Sequence, residues 1–316
     1  MHISDHVLRC FLALADAGQF TVAAERCHLT QSALSQMISR LEERVGMQLF
    51  NRDARSVTPT DEGRRFAETA RRITADLDRA IADLRDIATL QAGQVALAVV
   101  PSLAVVWLPQ VLQQFHQRHP AVRLQLHDQS SVRCLELVRQ GVVDFALNSQ
   151  PGTPHEMDAE LLFEESLYLV CPPNHPLARE TQVTARSLTG LPLLHTQGTD
   201  NMLVRTGKGM RGARRALYEA GAVDSGFEVA SLATLAGLVA SGLGACLAPE
   251  SALPQFSLLP TRAVRISPRM MTRPIYFVHQ KGRTLSHAAR GMRELLFRSP
   301  RPGSVGASTA RARSKK

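Results

Sequence analysis

Aromatic side chains are scarce in this 316-residue chain: they make up 5% of it, with one Trp and three Tyr. Aliphatic groups must therefore fill any interior. The hydrophobic share of 44% supplies enough of them for about two domains and excludes global disorder. Long apolar runs are missing too. No stretch of about 18 uncharged apolar residues occurs, so no membrane span is expected. The opening residues MHISDHVLRCFLALADAGQF lack a basic start and carry Asp5, Arg9 and Asp16. They read as an amphipathic helix rather than a secretion signal, and cytoplasmic residence is the expectation.

The cysteines Cys10, Cys27, Cys134, Cys171 and Cys246 are odd in number and widely spread. They form no CxxC pair and no Cys/His cluster at zinc spacing, so they are expected as packed thiols, with no metal site and no cofactor. No P-loop, HExxH or GxSxG sequence is present, and no GxGxxG dinucleotide motif is expected. His119, His175 and His195 stand isolated. An enzymatic reading has no residues to carry it.

Charge is distributed unevenly. The formal net charge is +9, yet the first 90 residues hold 12 Arg against 13 carboxylates. Residues 298–316 hold six basic groups and no acid. Net charge thus gives no reason to make the N-terminal part a DNA binder, and that inference must rest on position. The Pro-, Gly-, Ser- and Arg-rich tail 298–316 is expected to be disordered, either a solubilising end or a loose DNA contact.

What is present is a dense run of short helical patterns. Val7, Leu8, Phe11, Leu12, Leu14 and Ala15 place an apolar stripe on a helix from about Ser4 to Ala17, ended by Gly18. Thr21 suits the N-cap of a second short helix through Ala23, Ala24 and Cys27. Thr30 caps a third helix from Gln31 to about Val45, stopped by Gly46, whose Leu34, Ile38, Leu41 and Val45 form a second stripe. Two short helices joined by a tight turn make a helix-turn-helix. The third helix exposes Gln31, Ser32, Ser35, Gln36, Ser39 and Arg40, with no carboxylate from Gln31 to Leu41. Such a face, begun at Thr30, suits a major groove, where Gln pairs with adenine edges and Ser with base or phosphate. An ordinary solvated face has the same composition. Leu49 and Phe50 look like core anchors, and Asn51–Ser56 reverses into Val57–Thr60 as a small β-wing. From that wing Arg52 and Arg55 would follow a phosphate backbone; a solvated loop is the alternative.

Asp61 begins a long helix in which Phe66, Ala70, Ile73, Leu77, Ile81, Leu84 and Ala88 recur near heptad spacing. A dimerisation seam through Phe66, Ile73, Leu77, Ile81 and Leu84 is the economical explanation, a packed connector the alternative. A symmetric pair would bind an inverted repeat in double-stranded DNA.

The run AGQFTVAAERCHLTQSALSQMISRLEERVGMQLFNRDARSVTPTDEG resembles the winged helix-turn-helix of the LysR-type transcriptional regulators. The matching residues are Phe11, Ala17–Gly18, Phe20–Thr21, Ala23–Ala24, Leu29, Gln31, Ser35, Ile38, Leu41–Glu42, Gly46, Leu49–Phe50, Arg52, Thr58–Pro59–Thr60 and Gly63. The resemblance extends over residues 4–297. Ser32 stands where Pro is frequent, Cys27 where Leu is, and Gln19 where Ser is. The family likeness implies dimers of dimers, contact with RNA polymerase, and a C-terminal effector domain similar to a periplasmic solute-binding fold.

The remaining sequence agrees with an α/β reading. Gln94–Val100, Val122–His127 and Val142–Leu147 are strand patterns separated by helical ones at Val105–Arg118 and from Ser131 to Gly141, a parallel βαβαβ order. Leu161–Cys171 leads to a second lobe containing Leu193–His195, a helical pattern Arg211–Ala220, Phe227–Val229, Leu232–Val239 and the buried run Gly242–Pro249. Ile275–Val278 returns to the first lobe, and Ser286–Phe297 closes as a helix. Ligands in such sheets sit beyond strand ends. That rule selects Ser102, Gln129, Ser130, Ser131, Asn148 and Ser149; with Thr196, and with Thr199, Asp200 and Arg205 as weaker candidates, they could bind a small organic effector such as an anion. Helix capping is the competing use of each hydroxyl.

The expected fold class is therefore an N-terminal all-α winged helix-turn-helix (1–60) with a long linker helix (61–90), then a two-lobed periplasmic-binding-protein-like α/β effector domain (91–297). Its first lobe is expected from 91–167 and 268–297 and its second from 168–267.

Overall fold

A computed structural model describes residues 3–52, 57–89, 93–200, 202–267 and 271–301. Two compact units divide the chain, Met1–Leu90 with Arg139–Val142, and Gln91–Val138 with Val143–Lys316. Arg55 and the tail from Pro302 onward, about which the sequence raised expectations, lie outside the described residues.

The first unit holds α1 (Asp5–Ala17), α2 (Phe20–Arg26), α3 (Gln31–Val45), β1 (Phe50–Arg52), β2 (Val57–Pro59) and α4 (Asp61–Thr89). Ser4 caps α1, and Gly18 ends it at φ 66, a left-handed conformation suited to Gly. Thr30 caps α3 by accepting from Ala33 N–H at 3.2 Å. The expected cap at Thr21 is not found: α2 already starts at Phe20, and Gln19 occupies the cap position without a side-chain bond. Phe20 packs against the head core, so tertiary contact draws the helix start one turn-fraction earlier than local propensity does.

Leu8, Phe11 and Leu14 of α1, Ala23 and Ala24 of α2, and Leu34, Ile38 and Leu41 of α3 are all buried in one cluster. Each large aliphatic there contributes about 1.5–3 kcal/mol by leaving water. Phe11 is its centre, with Phe50 at 5.0 Å and Phe66 edge-on at 4.9 Å between ring centroids. The wing strands β1 and β2 are antiparallel, Phe50 opposite Pro59. Glu42 ties the wing to α3, its Oε1 accepting from the backbone N–H of Leu49 at 2.8 Å and Phe50 at 3.1 Å. Gly63 closes the join to α4: a Cβ there would lie 2.0 Å from the Leu49 carbonyl oxygen.

In the second unit the elements continue as β3 (Gly93–Val99), α5 (Pro101–Ala104), α6 (Trp107–Arg118), β4 (Val122–Asp128), α7 (Ser131–Arg139), β5 (Phe145–Asn148), β6 (Met157–Glu165), β7 (Leu167–Cys171), α8 (Ala185–Leu188), β8 (Pro192–Thr196), α9 (Gln197–Asp200), β9 (Leu203–Thr206), β10 (Gly209–Gly212), α10 (Ala213–Glu219), β11 (Val223–Val229), α11 (Leu232–Ala240), β12 (Ala245–Pro249), α12 (Leu253–Phe256), β13 (Arg262–Arg265), β14 (Arg273–Gln280) and α13 (His287–Arg298). One five-stranded sheet runs β4-β3-β5-β14-β6 and a second runs β11-β8-β12-β7-β13. Each is mixed: β3 is parallel to β4 and β5, β8 to β11 and β12, while β14 and β7 pair antiparallel. The sheets define two lobes. The chain crosses between them at Ser166 and again between Arg265 and Arg273.

Both faces of each sheet are covered. Trp107, Leu108, Val111 and Phe115 of α6 and Met292 and Leu296 of α13 pack on one face of the first sheet, and Cys134, Leu137 and Val138 of α7 on the other. Leu217 of α10 covers one side of the second sheet; Leu235 and Val239 of α11 and Phe256 of α12 cover the opposite side. Cys10, Cys134, Cys171 and Cys246 are buried free thiols and Cys27 is half-buried. Burial pushes the Cys10 and Cys134 thiols up to about 12, which leaves them unreactive.

Three differences from the sequence expectation stand out. The helix expected over Arg211–Ala220 starts only at Ala213, because Leu203–Thr206 and Gly209–Gly212 form a hairpin. Gly207–Gly212 has the GxGxxG spacing but lies in that hairpin, not in a strand-to-helix turn, so it makes no dinucleotide phosphate loop. Strand β13 was not foreseen, nor was Ser130 as the residue capping α7, where Ser131 was expected: Arg133 N–H donates to Ser130 Oγ at 3.4 Å.

Removing the Glu42 carboxylate leaves two backbone donors of the wing unpaired. Glu42→Ala is expected to lower the stability of the N-terminal unit by about 2 kcal/mol, read as a lower denaturation midpoint by circular dichroism. Glu42→Gln, which keeps an acceptor, should lose less.

Candidate DNA-binding face and effector cavity

Burial of Leu34, Ile38 and Leu41 dictates which side of α3 meets solvent. Thr30, Gln31, Ser32, Gln36 and Arg40 are exposed, and Ser35 and Ser39 are half-buried beside them. Part of the hydroxyl chemistry is spent on the helix start: Thr30 Oγ1 takes the Ala33 N–H and lies 3.1 Å from Ser32 Oγ. Gln31, Gln36 and Arg40 are the long polar side chains that reach outward, and no acid shares their face before Glu42. The backbone of Arg52 lies in β1, next to this surface in sequence, while its side chain lies outside the described residues.

The long helix α4 has two parts. Phe66 was expected in an intersubunit seam, but its ring packs on Phe11, and Ala67 and Ala70 are buried in the same head cluster. The first turns of α4 thus complete the core of their own unit. Ion pairs of Arg71 with Asp16 and of Arg9 with Asp78, the latter at 2.6 Å, hold α4 along α1. Beyond that point Ile73, Leu77 and Ile81 are 48%, 40% and 41% exposed, an apolar row without cover in the single chain. The side chain of Leu84 lies outside the described residues.

In the second unit a cavity of about 410 Å³ opens between the lobes. Of the residues selected from the sequence, Ser102, Gln129, Ser130, Ser131, Ser149, Thr196 and Thr199 line it. Strand ends explain their convergence: β3, β4 and β5 deliver those of the first lobe, β8 those of the second. Asp200 is not among the lining residues, and its side chain lies outside the description. Arg205 is not there either; on its hairpin it pairs with Glu164 at 2.6 Å.

Many of these hydroxyls are already engaged. Ser131 donates to Asn148 Oδ1 at 2.6 Å, and Asn148 returns a bond to the Ser131 carbonyl at 2.8 Å. Thr196 and Thr199 bond each other across 3.2 Å, and Ser231 caps α11 through Thr234 N–H at 3.1 Å. By contrast Ser149 Oγ, Gln255 Nε2 and Arg273 Nε, all on lining residues, are buried without a partner among the described residues.

Sequence reasoning missed Arg273, Glu165, Gln255 and Ser231. The register of β14 on β6 sets Arg273 opposite Glu165, and their side chains form an ion pair at 3.0 Å, 4% and 1% exposed. Arg273 also donates to Ser102 Oγ at 2.8 Å, and Glu165 Oε2 accepts from Ser251 N–H at 2.9 Å. The network therefore links both lobes at the chain crossings. Burial pushes the Glu165 carboxyl up and is opposed by the Arg273 charge and the Ser251 bonds; burial likewise pulls Arg273 down while Glu165 holds it charged. A sequence signal for this pair did exist, two opposite charges within β-rich runs, but nothing local says that they meet.

No group of His, Cys, Asp or Glu that could hold a metal is present among the described residues, and no described helix is long and apolar enough to cross a membrane. A winged helix-turn-helix together with a two-lobed α/β unit enclosing a ligand-sized cavity defines the class: a ligand-responsive transcription regulator.

Comparison with known proteins gives the family. Residues 6–64 match the model described as "Bacterial regulatory helix-turn-helix protein, lysR family", and residues 88–300 match "LysR substrate binding domain". The chain belongs to the LysR family, and is thus a DNA-binding transcription regulator with an effector-binding domain, not an enzyme. It is 30% identical over 303 residues to the HTH-type transcriptional regulator YfeR of Shigella flexneri, covering 94% of each chain. Among solved structures it is similar to a full-length OxyR variant of Pseudomonas aeruginosa (TM-score 0.68, 23% identity, 94% of each chain). It is also similar to full-length CbnR in complex with its target DNA (TM-score 0.67, 20% identity, 94% of this chain and 100% of that one).

Replacing Arg273 strands a buried carboxylate. Arg273→Gln is expected to destabilise the second unit by about 3 kcal/mol or more at neutral pH, measured by denaturant unfolding against the wild type. The penalty belongs to ionised Glu165, whose folded-state affinity for a proton is already raised. It is therefore absent below the unfolded carboxylate value of about 4.3, grows as pH rises above it, and is complete only above the raised folded-state value.

Proposed function

We propose that α3 is the recognition helix and that occupancy of the interlobe cavity by a small organic molecule controls what the DNA-bound protein does. The observation that carries the DNA half is the exposed, carboxylate-free edge of α3, fixed outward by the burial of its opposite stripe. Gln31 and Gln36 read base edges; Thr30, Ser32, Ser35, Ser39 and Arg40 meet bases or neighbouring phosphates; Arg52 and Arg55 hold the backbone from the wing. The proposed division is a DNA-binding head over 1–60, a linker over 61–90, and an effector domain over 91–297. Within the last, one lobe takes 91–167 and 268–297 and the other 168–267. The basic tail 298–316 follows.

The apolar row Ile73, Leu77 and Ile81, continued by Leu84, supports pairing of two chains through α4, since uncovered aliphatics at this spacing gain by burial. A symmetric pair sets two recognition helices on an inverted-repeat operator, and two such pairs form the tetramer. RNA polymerase is the partner through which a DNA-bound regulator changes transcription, and the cytoplasm is where this occurs. The effector bears acceptor oxygens, because the unsatisfied groups at the cavity are mostly donors. That class includes the organic anions expected from the sequence and their uncharged relatives.

Sequencing the genomic fragments bound by the protein tests the reading, with a shared inverted repeat as the expected result. On that repeat Gln31→Ala and Gln36→Ala should each lose about 1–3 kcal/mol of discrimination at one base pair, measured by competition gel shift. Arg40→Ala should instead weaken all sequences alike and lower the salt slope by about one. Unchanged specificity in both Gln variants removes α3 from the reading position.

Assembly has its own check. Leu77→Glu should shift the sedimentation profile from dimer or tetramer toward monomer, since it puts a charge into a desolvated apolar seam. Unchanged association with the fold intact takes α4 out of the interface.

A further inference from the structure

We propose that the interlobe cavity selects an uncharged organic ligand bearing acceptor oxygens (an amide, ester, lactone or ketone) and discriminates against the matching carboxylate. The inference rests on the cavity being the effector site and narrows its ligand class by charge balance.

Among the described lining residues Arg273 is the only cation. Its guanidinium is not available as an unpaired charge: Glu165 sits on it at 3.0 Å, with both side chains almost wholly buried. Glu165 is itself held by the Ser251 N–H, so the pair is fixed in place rather than loosely apposed. A ligand carboxylate bound to the remaining N–H groups of Arg273 would place a second carboxylate on one buried guanidinium. The result is a net negative charge in a poorly solvated site, the arrangement that is most costly there. The other ionisable lining group has the same sign: Asp128, at the end of β4, whose carboxyl is pushed up by burial. Arg273, its partner Glu165 and Asp128 therefore sum to one formal negative charge at the cavity.

What the site offers instead is donor capacity without net charge, since the Arg273 cation is matched by Glu165. Arg273 Nε and Gln255 Nε2 are N–H donors, and Ser149 Oγ is a hydroxyl, each buried without a partner among the described residues. Ser149 and Arg273 belong to the first lobe and Gln255, on α12, to the second. A carbonyl oxygen can accept from such donors while adding no charge. The apolar wall of Val100, Val105, Met202 and Leu247 suits the hydrocarbon remainder of such a molecule.

The experiment is titration calorimetry of the full-length protein with matched pairs at fixed ionic strength and pH 7.5: benzoate with benzamide, cinnamate with cinnamamide, and adipate with adipamide. The expected result is an amide that binds about tenfold tighter than its acid, with affinity lost in Gln255→Ala. Glu165→Gln, which leaves the Arg273 charge uncompensated, should move the preference toward the acid by about tenfold or more. An acid that binds the wild type more tightly than its amide overturns the charge argument and leaves the cavity standing as the effector site. Binding of neither member of any pair overturns the cavity reading, and the inference with it. Should Glu165→Gln fail to fold, the wild-type acid-to-amide ratio decides alone.

Discussion

One apolar stripe determines the orientation of everything in the N-terminal unit. Leu34, Ile38 and Leu41 have a single place to go, the cluster around Phe11 and Leu14, and once there they leave Gln31, Gln36 and Arg40 facing water. The wing cannot drift from this arrangement, because Glu42 on the same helix holds its first strand by two backbone bonds. Nor can the linker helix, whose Gly63 lies against the Leu49 carbonyl and whose Phe66 closes on Phe11. Helix α3, the wing and the start of α4 thus share one core built on about a dozen aliphatic and aromatic groups. A shared core of this kind is what lets a short polar face act as a reading surface rather than a mobile one.

The second unit obeys a different constraint. Its two sheets share the chain at only two crossings, and the strands that enter those crossings, β6 and β14, carry the buried pair Glu165–Arg273. A buried ion pair that loses one partner is heavily penalised, so lobe arrangements that keep this pair intact are favoured. The pair reaches the first lobe through Ser102 and the second through Ser251. Arg273 also lines the cavity. A molecule in the cavity therefore acts on the same group that joins the lobes, which gives ligand binding a mechanical route to lobe geometry.

How much of this was legible in the sequence depended on the range of the chemistry. The cap Thr30 and the stops Gly18 and Gly46 were readable because a cap is satisfied within one turn. The serines and threonines lining the cavity were readable because strand ends in α/β sheets converge regardless of detail, although Asp200 and Arg205 followed the same logic and are not among the lining residues. Thr21 was misjudged as a cap because packing of Phe20 outweighed propensity. Phe66 was read as a seam residue, and its ring packs on Phe11 of its own chain, because a 3.5-residue period shows that a face is apolar, not which surface covers it. Arg273 and Glu165 were invisible for a stronger reason: they are 108 positions apart, and only the register of two antiparallel strands brings them together. The β9–β10 hairpin was hidden by its glycines, which read as loop.

The central claim is that the N-terminal half of α3 lies against base edges in duplex DNA. Installing a photo-crosslinking side chain at position 36 and irradiating the protein on its own genomic fragments tests it most directly. The account predicts adducts confined to bases within each half of an inverted repeat, two clusters about one helical turn apart or a multiple of it. Adducts scattered along the fragment without reference to the repeat, or none while a crosslinker on the basic tail reacts efficiently, would contradict it.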